Sequence, residues 1–382
     1  MTITVAPTAA QQDRPGLVTL ATGDVRVPVF EAAAGQGMRP RDADQPYPLP
    51  TGRADLRAAI AAHVSGTHAG SVGEDQVLLA PGARLALVGL LASVCGPRRN
   101  QVLFSAPYWP SYPPLIQLAH GVPALLSRRR PRELLVEVVE RHRTPATAAL
   151  VVNSPRNPDG AVLGEGEIGE VVDWAARHGV MVIFDQVYRG VPVGSQRPPS
   201  VLDRFTNLPD HCLVVDGLSK SHALAGLRIG WALAGGHLAT QAKAVLSHLV
   251  GGVCAIGQDV ALLAIEDSLR IQERLRPVLN TNRARAVDCL SALNGVECRL
   301  PQGGIFVFPD LTGWLARSAS PSAQHDLTGW LRDRHGVAVV DGAAFGAPGH
   351  LRLSYAVARS DLDEGLHRLA DAITGARSGS LP

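Results

Sequence analysis

The sequence predicts an α/β protein, with a mostly parallel central sheet flanked by helices and a smaller α+β domain. Three observations carry this. The chain has 382 residues, too many for one small core. Apolar runs alternate with helical patterns from about residue 40 to 235. The near-continuous apolar runs VMVIFD and HCLVVD fit strands covered on both faces.

The expected strands are Gln76–Ala80, Gln101–Ser105, Ala148–Asn153, Val180–Asp185, Cys212–Asp216 and Leu227–Ala234. Helices are expected at Ala54–Val64, Arg84–Cys95, Glu167–His178 and His237–Val250. After residue 268 a long helical stretch ending in LSAL connects to the α+β part. There GGIFVFPDL and HLRLSYA read as strands, and DLTGWLRDRHG and DLDEGLHRLADAI as helices. RSASPSAQ reads as a polar loop. The division is 1–45 as an N-terminal segment of the small domain, 46–275 as the large domain, 276–375 as the C-terminal small domain, and 376–382 as a flexible tail.

Composition excludes several classes. A formal charge of +2, from 36 Lys plus Arg against 34 Asp plus Glu, gives no reason to expect nucleic acid or an anionic membrane as partner. The run Arg128, Arg129, Arg130, Arg132 is brief and broken by Pro131, as in a solvated turn. No apolar run reaches membrane-span length, and MTITVAPTAAQQDRPG lacks the features of a signal peptide. Five cysteines without CxxC spacing suggest reduced thiols in a cytoplasmic protein and no metal site. Gly164–Gly169 spells GxGxxG, but no strand leads tightly into it and its glutamates would repel a pyrophosphate; it reads as a helix start.

Only two of the 36 cationic Lys and Arg side chains are lysine, Lys220 and Lys243. Arginine stays protonated, whereas lysine can become a neutral amine and attack a carbonyl. Lys243 lies in a helical pattern. Lys220 lies in GLSKSHALAGLRIG, directly after the strand CLVVD.

Other chemistry-bearing residues also follow strands, where an open parallel sheet binds its ligands. Asp185 ends VIFD with Tyr188 three residues on; Asn157 lies in NSPRNPDG after another strand. Gly82, Ala83 and Arg84 begin a helix, whose free amides favour a phosphate. Trp109 follows QVLFSAP. The five tyrosines, Tyr47, Tyr108, Tyr112, Tyr188 and Tyr355, fall in or beside these motifs.

From about Tyr47 to Arg352, the SKxxxxxGxRxG run, NPxG, DxxY and RLSYA together resemble the fold-type I, aspartate-aminotransferase-like family of pyridoxal 5'-phosphate enzymes, class I/II. The resemblance implies an aminotransferase moving an amino group between an L-amino acid and a 2-oxo acid by a ping-pong mechanism. Lys220 would hold the cofactor as a Schiff base and shuttle the proton. Asp185 would pair with the pyridine nitrogen, and Tyr188 and Asn157 with the ring oxygen. Trp109 would stack on the ring. Ser219, Arg228, Gly82 and the amides of Ala83 and Arg84 would surround the phosphate, with the Arg84 side chain left to solvent. Tyr47 would reach the phosphate of a neighbouring subunit in a homodimer. Arg352 would fork the substrate α-carboxylate, with Asn157, Trp109 and Gly23 also at the substrate.

Plainer roles compete: Lys220 in a surface loop, Asp185 as a helix cap, Trp109 in the core, Arg352 paired with a structural carboxylate. Departures from the family pattern are Gly217 for a phosphate-touching Ser or Thr, Asp159 for Thr, Gln186 for Glu, and LATGDVRVPVF for the usual GxPxF segment. In that segment Asp24 could meet a cationic substrate side chain or simply hold a turn. The same scaffold also hosts elimination or replacement, oxidase and cyclising-synthase reactions, and non-catalytic cofactor-binding modules.

Overall fold

The computed structural model describes residues 15–28, 46–65, 72–127, 133–318 and 320–375. The arginine run, most of the 1–45 segment and the 376–382 tail lie outside them. The strands among the described residues are β1 (Val18–Thr19), β2 (Val77–Ala80), β3 (Gln101–Ser105), β4 (Val122–Leu126), β5 (Thr147–Asn153), β6 (Met181–Asp185), β7 (Cys212–Gly217), β8 (Gly230–Leu233), β9 (Phe306–Val307), β10 (Val337–Ala338), β11 (Val340–Asp341) and β12 (Leu351–Ser354).

Seven of them form one sheet in the order β2-β8-β7-β6-β5-β3-β4. Only β8 runs against the others, antiparallel to both β2 and β7. Alternate residues feed two cores, as a doubly covered sheet requires. Val182, Phe184 and Val214 face one layer, with the helix Glu165–His178. Ile183, Leu213 and Val215 face the other, with the helices Ala83–Val94 and Gly236–Val250. The parallel strands point their carboxyl ends to one edge, where Asn153 and Asp185 sit in register.

Several expectations are corrected. The strand expected over Leu227–Ala234 starts only at Gly230. A 3-10 turn occupies Ala225–Leu227, and Arg228 takes a left-handed φ of 58°. The edge strand β4 and the helices Tyr112–Leu118, Leu135–His142 and Ala255–Glu266 were not expected. The polar loop RSASPSAQ contains the start of a short helix, Pro321–His325. The GxGxxG run does begin a helix, Glu165–His178, with the Glu167 carboxylate accepting from the Gly164 N–H at 3.2 Å.

The helix Ser268–Ser291 spans from the large sheet to the smaller α+β part, where the Asn282 amide donates to the carbonyls of Tyr355 and Val357. There β9, β12 and β11 form an antiparallel sheet, and β1 pairs in parallel with β10. Ser354 N–H donates to the Leu20 carbonyl, so residues from the chain's two ends are joined.

Behind the Lys220 turn, His222 is fully buried. Its Nδ1 lies 2.8 Å from the Ser221 hydroxyl and its Nε2 lies 2.8 Å from the Ser268 hydroxyl. Ser268 Oγ donates to the Ile265 carbonyl at 2.6 Å, so it accepts from Nε2–H and leaves Nδ1 to accept from Ser221. The neutral ring thus ties the lysine turn to the helix Ser268–Ser291. Burial, with His63 adding to it, pushes His222 down to about 3. The unfolded chain therefore takes up a proton below about pH 6.5 that the fold refuses, and stability present above that pH is lost as pH falls towards 3. His222→Gln should lose about 2 kcal/mol less stability than the wild type between pH 7 and pH 5 in denaturant unfolding. Parallel pH profiles for the two proteins would contradict this account.

Candidate active site

A cavity of about 780 Å³ opens at the carboxyl edge of the sheet, between it and the smaller part. Eleven of the predicted residues line it: Gly23, Ala83, Arg84, Trp109, Asn157, Asp185, Tyr188, Ser219, Lys220, Arg228 and Arg352. Gly82 and Tyr47 do not. Gly82 sets the turn before the helix Ala83–Val94 with φ of 86°, and a Cβ there would overlap the Arg228 guanidinium. Tyr47 is 98% exposed on this chain and away from the cavity lining.

Lys220 sits on the one-turn helix Leu218–Ser221 that follows β7. Its Nζ donates to the Gly23 carbonyl at 2.8 Å, with an Asp24 oxygen 3.9 Å away. Burial pushes the Lys220 ammonium down; Asp24 opposes this, and Arg352, Arg228 and Arg84 add to it. The plain reading of a surface lysine therefore fails. The side chain is an amine eased toward neutrality, which a carbonyl-attacking group needs.

Asp185 ends β6 at the cavity floor. Burial pushes its carboxyl up, while the Tyr112 hydroxyl, 2.6 Å from Oδ2, the Val187 amide and Lys220 pull it back. A protonated ring nitrogen brought against it would favour its ionised form. Tyr112 was not among the predicted site residues. It lies 73 positions from Asp185 in sequence, at the start of the helix Tyr112–Leu118.

Arg352, on β12, is buried and bridges two segments of the cavity wall. One amino group donates to Asn157 Oδ1 and the other to the Ala21 carbonyl, both at 3.2 Å. Its guanidinium stacks 4.1 Å from the Phe306 ring centroid and 5.0 Å from that of Phe345. Its buried Nε has no hydrogen-bond partner. Burial lowers it to about 10. Among the described residues it pairs with no carboxylate, so its structural alternative fails, and a buried cation in this state calls for an anionic ligand. The Asn157 amide in turn reaches the Tyr188 hydroxyl at 3.4 Å.

The phosphate-facing end bears on two expectations. The Arg84 side chain is exposed, as expected, with its guanidinium 5.1 Å from the Trp109 ring centroid, and burial followed by Arg228 disfavours its charge. Gly217 pairs across the sheet with Gly230, and a Cβ on it would come within 2.9 Å of the Gly230 Cα and the Ile229 carbonyl oxygen. A side chain at Gly217 would therefore require these backbones to shift. Asp159 pairs with Arg156 (2.8 Å), and Gln186 accepts from the buried Ser200 hydroxyl (2.9 Å), so both departures have structural partners. Tyr355 is a core residue, its hydroxyl donating to the Gly304 carbonyl.

A model of aminotransferase class I and II matches residues 15–369. The chain belongs to this family. It is 33% identical to an aspartate aminotransferase of Streptomyces avermitilis, covering 85% of this chain and 81% of that one. It is 30% identical to a probable aspartate/prephenate aminotransferase of Aquifex aeolicus, over 87% and 84%. The fold matches the aspartate aminotransferase of Rhizobium meliloti with a TM-score of 0.85 and 26% identity, over 94% and 91%. It matches the Thermus thermophilus enzyme with maleate at a TM-score of 0.80 and 30% identity, over 93% and 91%. The chain is thus a pyridoxal-phosphate-dependent aminotransferase of fold type I.

The residues fit that cofactor: one lysine, one buried carboxylate, and guanidinium groups with no carboxylate partner among the described residues, beside helix-start amides. Gly217→Ser should not restore a phosphate contact. Overpacking against β8 should cost about 1–3 kcal/mol in denaturant unfolding and loosen cofactor binding. Tighter cofactor binding with unchanged stability would contradict this reading of Gly217.

Proposed function

We propose that this aminotransferase works by ping-pong transamination, with Lys220 as the covalent anchor of the cofactor and the base at the substrate α-carbon. The observation that carries this is the convergence of Lys220, Asp185 and the carboxylate-free Arg352 on one cavity. Bound pyridoxal phosphate supplies an electron sink for the carbanion formed when the α-proton leaves.

The chain's own groups do the rest. Asp185 holds a proton on the ring nitrogen, and Tyr112 orients the Asp185 carboxylate. Tyr188 and Asn157 hydrogen-bond the ring oxygen, and Trp109 covers the ring face. Arg228, Ser219 and the amides after Gly82 hold the phosphate. Arg352 forks the α-carboxylate, with Gly23 and Asn157 beside it, and so aims the α-proton at Lys220.

We further propose a large cofactor domain over 46–275 and a small domain from 276–375 with the 1–45 segment. A homodimer accounts for the exposure of Tyr47, which would complete the neighbouring subunit's phosphate site. Five free cysteines agree with a cytoplasmic setting. The relatives named for aspartate, and the related structure with maleate, put dicarboxylic amino donors first in a substrate screen.

In single-turnover experiments, an amino donor should convert the bound cofactor to its amine form and release one equivalent of 2-oxo acid. Ammonia release or oxygen consumption in its place would overturn transamination. Arg352→Gln should raise KM for both amino and oxo acid about tenfold or more, as expected for a lost charged hydrogen bond. The bound cofactor's absorbance should stay the same; an unchanged KM would remove Arg352 from the carboxylate site.

A further inference from the structure

We infer that the Arg53–Asp259 ion pair is a clamp that positions Tyr47 for the cofactor phosphate of a neighbouring subunit. This rests on the proposed homodimer, in which Tyr47 serves that phosphate. Tyr47 is 98% exposed, so its own chain's core does not hold it. Ordering such a side chain only on binding would weaken the contact, and a segment fixed beforehand avoids that loss.

Residues 48–53 are fixed at three points. Pro48 lies against Gly252, where an added Cβ would come within 2.8 Å of the Pro48 ring and carbonyl oxygen. The Gly52 N–H donates to the Leu49 carbonyl at 2.9 Å, and a Cβ on Gly52 would overlap the Leu79 side chain of β2. Arg53 makes the third tie. Its N–H donates to Gln258 Oε1 at 2.9 Å, its guanidinium pairs with Asp259, and the Nε edge pairs with Asp55 at 2.9 Å.

The far side of this tie is anchored in the interior. Gln258 is fully buried, its amide donating to the Val253 carbonyl at 2.7 Å. Asp259 is also buried, on the helix Ala255–Glu266. Breaking such a pair leaves a charge out of water without its partner, so the tie is firm. Neither Arg53 nor Asp259 lines the Lys220 cavity, and the pair acts through the segment it holds. Arg53 stands six residues after Tyr47, and the fixed φ of Pro48 and Pro50 carries the restraint back to the tyrosine. The exposed side chains Leu49 and Leu249 lie within three residues of the Pro48–Gly252 contact, as expected of a face that a second copy covers.

The test titrates apoprotein with pyridoxal phosphate for wild type, Y47F, R53Q, Y47F/R53Q and the charge swap R53D/D259R, with light scattering on each. Wild type should be a dimer, and Y47F should bind about tenfold more weakly, as for a lost charged hydrogen bond. R53Q should stay dimeric and bind about threefold to tenfold more weakly. The double variant should bind no more weakly than Y47F, because the clamp then has nothing to position. The swap restores the pair with reversed polarity and should recover most of the wild-type affinity.

A monomeric wild type, or Y47F with wild-type affinity, would refute the Tyr47 assignment and the clamp with it. With Y47F weakened, three results overturn the clamp alone: R53Q binding as wild type does, losses that add in the double variant, or R53Q becoming monomeric. The swap covers an R53Q chain that does not fold: a folded swap that binds as weakly as Y47F also overturns the inference.

Discussion

Gly217 and Gly230 face one another across β7 and β8 with no side chain between them, and Gly230 lies against the start of the helix Ala83–Val94. This three-way backbone approach is the constraint on which the site depends. It places the turn bearing Lys220, the left-handed residue Arg228 and the free amides of Ala83 and Arg84 within one small volume. Because β8 alone runs against the sheet, the chain can leave β7 through Lys220, turn at Ala225–Leu227, and return with Arg228 beside the same edge. The lysine and its phosphate-facing arginine are thus two ends of one hairpin-like excursion.

The cavity also concentrates charge that the folded chain does not neutralise by itself. Arg352 is buried between two phenylalanine rings, Arg84 and Arg228 line the same cavity while staying exposed, and Lys220 lies under their combined field. Unpaired buried charges weaken a fold, and functional sites are where such violations concentrate. A phosphate and a carboxylate are complementary to this arrangement. Asp185 is the complementary exception, a buried carboxylate for a cationic ring nitrogen.

Much of the fold was legible because the central strands are continuous apolar runs bounded by turn residues. Those of β5, β6 and β7 could hardly pack any other way. Strand β4 was missed because an edge strand with Pro123 and exposed Val122 and Leu125 lacks that signature. Lys220, Asp185, Asn157 and Arg352 were legible through motif order. Tyr112 was not, because its partner is remote in sequence. Arg84 was read by its backbone alone, since nothing in spacing shows which way a helix-start side chain turns. Gly217 was read as a lost contact, because its opposing glycine becomes visible only once β8 is known to be antiparallel. Tyr47 is 98% exposed among the described residues, which is why it enters through the proposed dimer.

The central claim is that Lys220, and not Lys243, carries the cofactor. Borohydride reduction of the holoprotein followed by peptide mapping tests it most directly, because the chain offers only those two lysine side chains. The account predicts one pyridoxyl group per chain on the peptide containing Lys220. Modification at Lys243, or none on a protein that has bound pyridoxal phosphate, would contradict it.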